Sequence, residues 1–76
     1  MLLFGRLADL AGWRERDIPA VSLADLRGRI ATEDPALFDA LQAPAVRTAV
    51  DQELVSLDVA LGPDSEVAFL PPMSGG

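Results

Sequence analysis

Seventy-six residues, half of them hydrophobic, make one small domain with a real but modest core. Twelve acids against six arginines give a net charge of −6 with no lysine, which excludes phosphate-neutralising contact with nucleic acid and favours a basic protein partner. The chain has no Cys, His or Tyr, so thiol nucleophiles, imidazole bases, Cys/His zinc sites and disulfides are excluded as well.

In chain order, Met1-Leu2-Leu3-Phe4 is apolar throughout, as in a strand with apolar contacts on both faces. Arg6–Ala11 carries Leu7, Leu10 and Ala11 at helical spacing, and Gly12 stops it after about a turn. Trp13–Pro19 alternates weakly and reads as a polar strand, which Pro19 demotes to an edge. The clearest helix start follows. Ser22 is an N-cap with Asp25 three residues on, and Val21 is placed to staple onto Leu26. Leu23, Leu26 and Ile30 then form one apolar stripe. Gly28 costs that helix about 1 kcal/mol against alanine, which suggests close packing there. A second helical piece starts with Asp34 as cap and Pro35 at the first position, turns Leu37, Phe38 and Leu41 inward, and ends by Pro44.

The second half is strand-like. Val46, Thr48 and Val50 alternate, Asp51-Gln52 marks a turn, and a short apolar stretch runs from Leu54 to Leu61. Gly62-Pro63-Asp64-Ser65 is a strong turn signal, and Glu66–Leu70 is a last, mostly apolar strand. The most apolar strands, first and last, belong in the centre of a mixed sheet, the proline-bearing one at its edge, and the main helix on one face. The fold class is α+β, a β-grasp: residues 1–70 form the domain and 71–76 an extended functional tail. No apolar run is long enough to span a membrane and no charged n-region leads an apolar segment, so the expected compartment is the cytoplasm.

A helix covers only one sheet face, yet both parities of the outer strands are apolar. With Leu3, Val67 and Phe69 toward the helix, Phe4, Ala68 and Leu70 point outward, and Leu54 is placed to join them. An uncovered apolar patch marks a partner surface. The acidic sets Glu33-Asp34 and Asp51-x-Glu53 read as solvated loops, and no metal site is expected.

The chain closes on "FLPPMSGG". Pro71-Pro72 favours an extended segment without internal hydrogen bonds. The six residues from Pro71 to Gly76 reach at most roughly 20 Å, and Gly75-Gly76, lacking Cβ atoms, can thread a narrow passage. At the end is a carboxylate, ionised at neutral pH and unreactive until activated. Activated as a mixed anhydride with AMP, it would accept a sulfur nucleophile and become a thiocarboxylate, a sulfur donor that needs no side chain.

This ending, with the preceding "LGPDSEVA", resembles the signature of the molybdopterin synthase small-subunit family, the sulfur carriers of molybdenum-cofactor biosynthesis. The resemblance spans nearly the whole chain: "LLFGRLADLAG" is similar to the family's first strand and turn, "SLADLRGRI" to its helix, and "AVDQELVSLD" to its "vNqelv" segment. It implies a ubiquitin-like fold. It also implies that Gly76 is adenylated by an ATP-using, ubiquitin-activator-like enzyme and converted to a thiocarboxylate. No cofactor is held stably; ATP and a sulfur donor are needed only for loading. The tail (Pro71, Pro72, Met73, Ser74, Gly75) would enter the large synthase subunit, in a heterotetramer, and give sulfur to a pterin precursor. Phe4, Leu54 and Leu70 match family positions that face the large subunit. Met73 stands where valine is commoner, and Leu70 where phenylalanine is frequent. A sulfur carrier for thiamine's thiazole or another pathway, and a ubiquitin-like modifier or interaction domain, are the alternative readings. The double proline favours the pterin pathway.

Overall fold

A computed structural model of the chain describes residues 1–56 and 58–71. In order it holds β1 (Leu2–Leu3), α1 (Arg6–Ala11), α2 (Leu23–Glu33), α3 (Pro35–Leu41), β2 (Arg47–Val50), β3 (Glu53–Val55) and β4 (Val67–Leu70). The four strands form one mixed sheet in the order β1-β4-β2-β3. β1 runs parallel to β4, with Leu2 opposite Ala68 and Leu3 opposite Phe69. β2 is antiparallel to both β4 and β3. The helices pack on one face, and this is the expected β-grasp.

The Trp13–Pro19 segment does occupy the far edge beside β1, but it amounts to one antiparallel bridge, Glu15 to Leu2. Backbone bonds from Leu3 N–H to Arg14 (2.8 Å) and from Arg16 N–H to the Met1 carbonyl (3.0 Å) hold it. A largely polar segment ending at proline has little to extend the ladder with. Its Arg16 instead pairs with Glu33 of α2 and lies over the Trp13 ring, 5.5 Å from its centroid.

The helix starts follow their caps. Ser22 Oγ accepts from the Asp25 N–H at 3.0 Å, and the Asp25 carboxylate accepts from the Val21 N–H at 3.0 Å, so the box closes one residue earlier than its usual form. That bond, with Arg29 as a lesser cause, holds the Asp25 carboxyl below the ordinary aspartate range. The expected staple is not made: Val21 is 74% exposed. Its N–H is tied to Asp25 and its carbonyl accepts from Leu61 N–H at 2.9 Å, which fixes the backbone and leaves the side chain outside. Asp34 caps α3 through the Leu37 N–H at 3.2 Å, with Pro35 in the first turn.

Leu3, Leu7, Leu23, Leu26, Ile30, Leu37, Leu41, Val67 and Phe69 form the buried core. Phe69 has no exposed surface at all. Burying such a ring stabilises the fold by roughly 1.5–3 kcal/mol. Arg27 of α2 closes over it, with the guanidinium 5.5 Å from the ring centroid and donating to Thr48 Oγ1 at 3.1 Å. Three members of the acidic sets read as solvated loops have structural partners, although Glu33, Asp51 and Glu53 are exposed. Glu33 pairs with Arg16 and Asp34 is a cap, while Asp51 exchanges two bonds with Glu66: its N–H donates to the Glu66 carbonyl at 2.8 Å and its carboxylate accepts from the Glu66 N–H at 2.9 Å. Asp51 and Gln52 make the tight β2–β3 turn at φ values of 51° and 70°, which both central positions of a type I′ hairpin turn require.

Nothing packs close to Gly28. A Cβ placed there meets no atom within 4 Å, and its backbone is helical. Gly28→Ala therefore stabilises the protein by about 0.5–1 kcal/mol, seen as a higher midpoint in thermal unfolding. A lower midpoint would mean that the helix face is not open at this position.

Candidate functional site

The site follows from the alternation of β4. Val67 and Phe69 are buried against the helices, so Ala68 and Leu70 face the opposite side of the sheet. Register carries that face across the neighbouring strands. Leu2, Ala68, Ala49 and Leu54 lie in one row, since Leu2 is paired with Ala68, Ala68 with Ala49, and Ala49 with Leu54. The next row lies at the end of β4. Phe4 follows Leu3 and donates its N–H to the Phe69 carbonyl at 3.3 Å, which sets it level with Leu70, and Leu70 is paired with Arg47.

The outward residues expected from the sequence are where parity put them. Phe4 is 46% and Leu54 66% exposed, and Leu70 is half-buried. They do not form one row: Phe4 and Leu70 stand beside the point where the chain leaves the sheet, whereas Leu54 lies on β3, two strands from β4. Leu2, Ala49 and Arg47 complete this face and were missed. Leu2 shares the parity of Phe4, whereas Ala49 and Arg47 join through strand register, which no local spacing records. Phe4 also rims an open groove of about 510 Å³ bounded by β1, α1 and the Arg14–Glu15 edge.

Pro71 is the only tail residue described, and it is half-buried. Pro72, Met73, Ser74, Gly75 and Gly76 lie outside the described residues. Where Pro71 leaves the sheet it meets Gly5. A Cβ on Gly5 would stand 3.0 Å from Pro71 Cγ, and Gly5 itself has φ 56° and ψ −133°, a conformation that L side chains rarely adopt. Gly5 is also the N-cap of α1, accepting from the N–H groups of Ala8 and Asp9 at 3.1 and 3.3 Å. One glycine thus joins the end of the first strand, the start of the first helix and the root of the tail.

Among the described residues, no group of three or more His, Cys, Asp or Glu side chains is placed to hold a metal ion. No helix there is long and apolar enough to cross a membrane. What the described surface presents is an apolar face at the root of a C-terminal segment.

Gly5→Ala should cost about 1–3 kcal/mol from the sparsely populated positive-φ backbone alone. It should also displace Pro71, read as chemical-shift changes at Leu70 and Pro71 alongside a lower unfolding midpoint. Unchanged shifts at the tail root would show that the contact yields without moving it.

The model of the ThiS family matches residues 1–76, the full length of the chain. Over 78 residues the chain is 33% identical to the molybdopterin synthase sulfur carrier subunit of Escherichia coli (strain K12), covering 100% of this chain and 96% of that protein.

Proposed function

Because the chain belongs to the ThiS family, we propose that it is a sulfur carrier acting as the small subunit of a molybdopterin synthase, with its chemistry at the Gly76 carboxylate. The observation that carries this reading is a family match running through Gly76, at the end of a segment rooted beside an outward apolar face. The similarity to a molybdopterin synthase sulfur carrier subunit supports the choice of pathway.

The chemistry needs no side chain of this protein. The carboxylate attacks the α-phosphorus of ATP on an activating enzyme, and pyrophosphate leaves. Hydrosulfide, the sulfide-level nucleophile, then adds to the acyl carbon of the adenylate, AMP departs with the bonding pair, the sulfur loses its proton, and a thiocarboxylate remains. In the large synthase subunit that sulfur adds to an electrophilic carbon of the pterin precursor, displacing an oxygen leaving group that departs with its bonding pair. Water takes its place on the acyl carbon and restores the carboxylate for another round. Two such transfers make a dithiolene. The chain is therefore a reloadable co-substrate, working in the cytoplasm within a heterotetramer of two small and two large subunits.

The body and the tail have separate jobs in this scheme. Phe4, Leu54 and Leu70 dock on the large subunit, and Pro71, Pro72, Met73, Ser74 and Gly75 lead Gly76 into its active site. Docking places the reacting group by holding the root of a short stalk, so few side chains need to enter the passage. A tail that is extended at little entropic cost loses less on insertion than a flexible one would.

Incubation with the activating enzyme, ATP and a sulfur source should add one intact-mass shift, that of sulfur replacing oxygen. Deleting Gly76 should abolish the shift and sulfur transfer while leaving thermal unfolding unchanged. Transfer by the truncated chain would sink the proposal, and slower-migrating adducts on other proteins would identify a modifier instead.

Phe4→Glu should weaken binding to the large subunit by about 10- to 100-fold, as for a truncated interface anchor worth roughly 1.4–2.8 kcal/mol. Its unfolding midpoint should barely move, because Phe4 is half exposed and lies off the core. A large loss of stability would instead make Phe4 a structural residue.

A further inference from the structure

The outward face contains one residue that does not belong to an apolar patch. Arg47 opens β2 and is paired across the ladder with Leu70, the last residue of β4. Thr48, next in the strand, is buried on the helix side, so Arg47 faces outward beside Leu70 and is exposed. It therefore stands in the row of Phe4 and Leu70, next to the root of the tail.

The other arginines set it apart. Arg16 pairs with Glu33, Arg29 with Asp25, and Arg27 bonds Thr48 over the Phe69 ring. Arg47 makes no ion pair or side-chain hydrogen bond among the described residues, nor do Arg6 and Arg14. Of these three, only Arg47 is a strand residue in register with the tail root. Among the described residues it is the one cation in the two rows of that apolar face, in a chain whose net charge is −6.

We propose that Arg47 is a partner-contact residue that meets a carboxylate of the large subunit at the mouth of the passage receiving the tail. This rests on the docking role proposed above and adds to it a requirement on the partner. A cation covered together with Leu70 and Phe4 loses its water, and desolvating it without an opposing charge is costly. A partner with a carboxylate at that point offsets the cost, and one without it is penalised, so the residue selects among partners with similar apolar surfaces. The long-range field of this acidic chain draws basic surfaces, whereas Arg47 demands the opposite sign at one point, which fixes orientation at the tail.

The test is calorimetric binding of the full chain to its cognate large subunit at two salt concentrations, with Arg47→Gln, Arg47→Glu and Phe4→Glu beside the unaltered protein. The expected result is about tenfold weaker binding for Arg47→Gln and about a hundredfold for Arg47→Glu. The salt dependence should be shallower in Arg47→Gln, and both Arg47 variants should keep the original unfolding midpoint. Should Arg47→Glu prove unstable, Arg47→Gln carries the test alone. Arg47 variants that bind like the unaltered chain while Phe4→Glu is weakened would overturn this proposal and leave the docking role standing. Weakened Arg47→Gln with an undiminished salt dependence would also overturn it, by showing that the arginine acts through packing. If the unaltered chain does not bind, both proposals fall.

Discussion

The parallel pairing of β1 with β4 is the constraint on which the rest of the molecule depends. It brings together the beginning and the end of the described chain, with Leu3 beside Phe69 and Leu2 beside Ala68. Phe69 is the most deeply buried side chain of the pair, and its burial decides which parity of both strands is core. A slip of one residue would turn Phe69 to solvent and Leu70 to the helices, so the identity of the outward face and the direction in which the chain departs are set by one ring. Arg27 and Thr48 reinforce that choice by closing over the ring from α2 and β2.

From that pairing the division of labour follows. The helix side of the sheet is spent on stability, and the opposite side is apolar, with Phe4 and Leu54 exposed, Leu2, Ala68 and Leu70 half-buried and Ala49 buried. Gly5 links the two, because the same residue ends the first strand, caps α1 and touches Pro71. Two of the acids that looked like spare surface charge are used by the scaffold, Asp34 as a helix cap and Asp51 as the tie between the β2–β3 turn and Glu66. This leaves the outward face without a carboxylate in its two described rows, Leu2-Ala68-Ala49-Leu54 and Phe4-Leu70-Arg47.

Features encoded locally were legible in the sequence. Ser22, Asp34 and Pro35 announce helix starts, Gly62–Ser65 announces a turn closed by the Ser65 N–H to Gly62 bond at 3.2 Å, and alternation assigns Leu3, Val67 and Phe69 to the core. What was not legible depends on distant partners. Arg47 and Ala49 join the outward face only through pairing with Leu70 and Ala68, and the importance of Gly5 comes from Pro71, 66 positions later in sequence. Local rules also overreached where the backbone had a competing bond. Val21 had the right position for a staple, but its N–H and carbonyl were engaged by Asp25 and Leu61. Gly28 suggested a tight contact that its open surroundings do not contain.

Parallel strands begin at the same end of a sheet. Met1 therefore sits level with Val67, at the end where β4 enters, about 10 Å along the strand direction from Leu70. A label, fusion partner or surface tether attached ahead of Met1 would project away from the tail root. The molecule can thus be held by its leading end, on a bead or a sensor chip, while the trailing end and the face beside it stay open to an incoming protein.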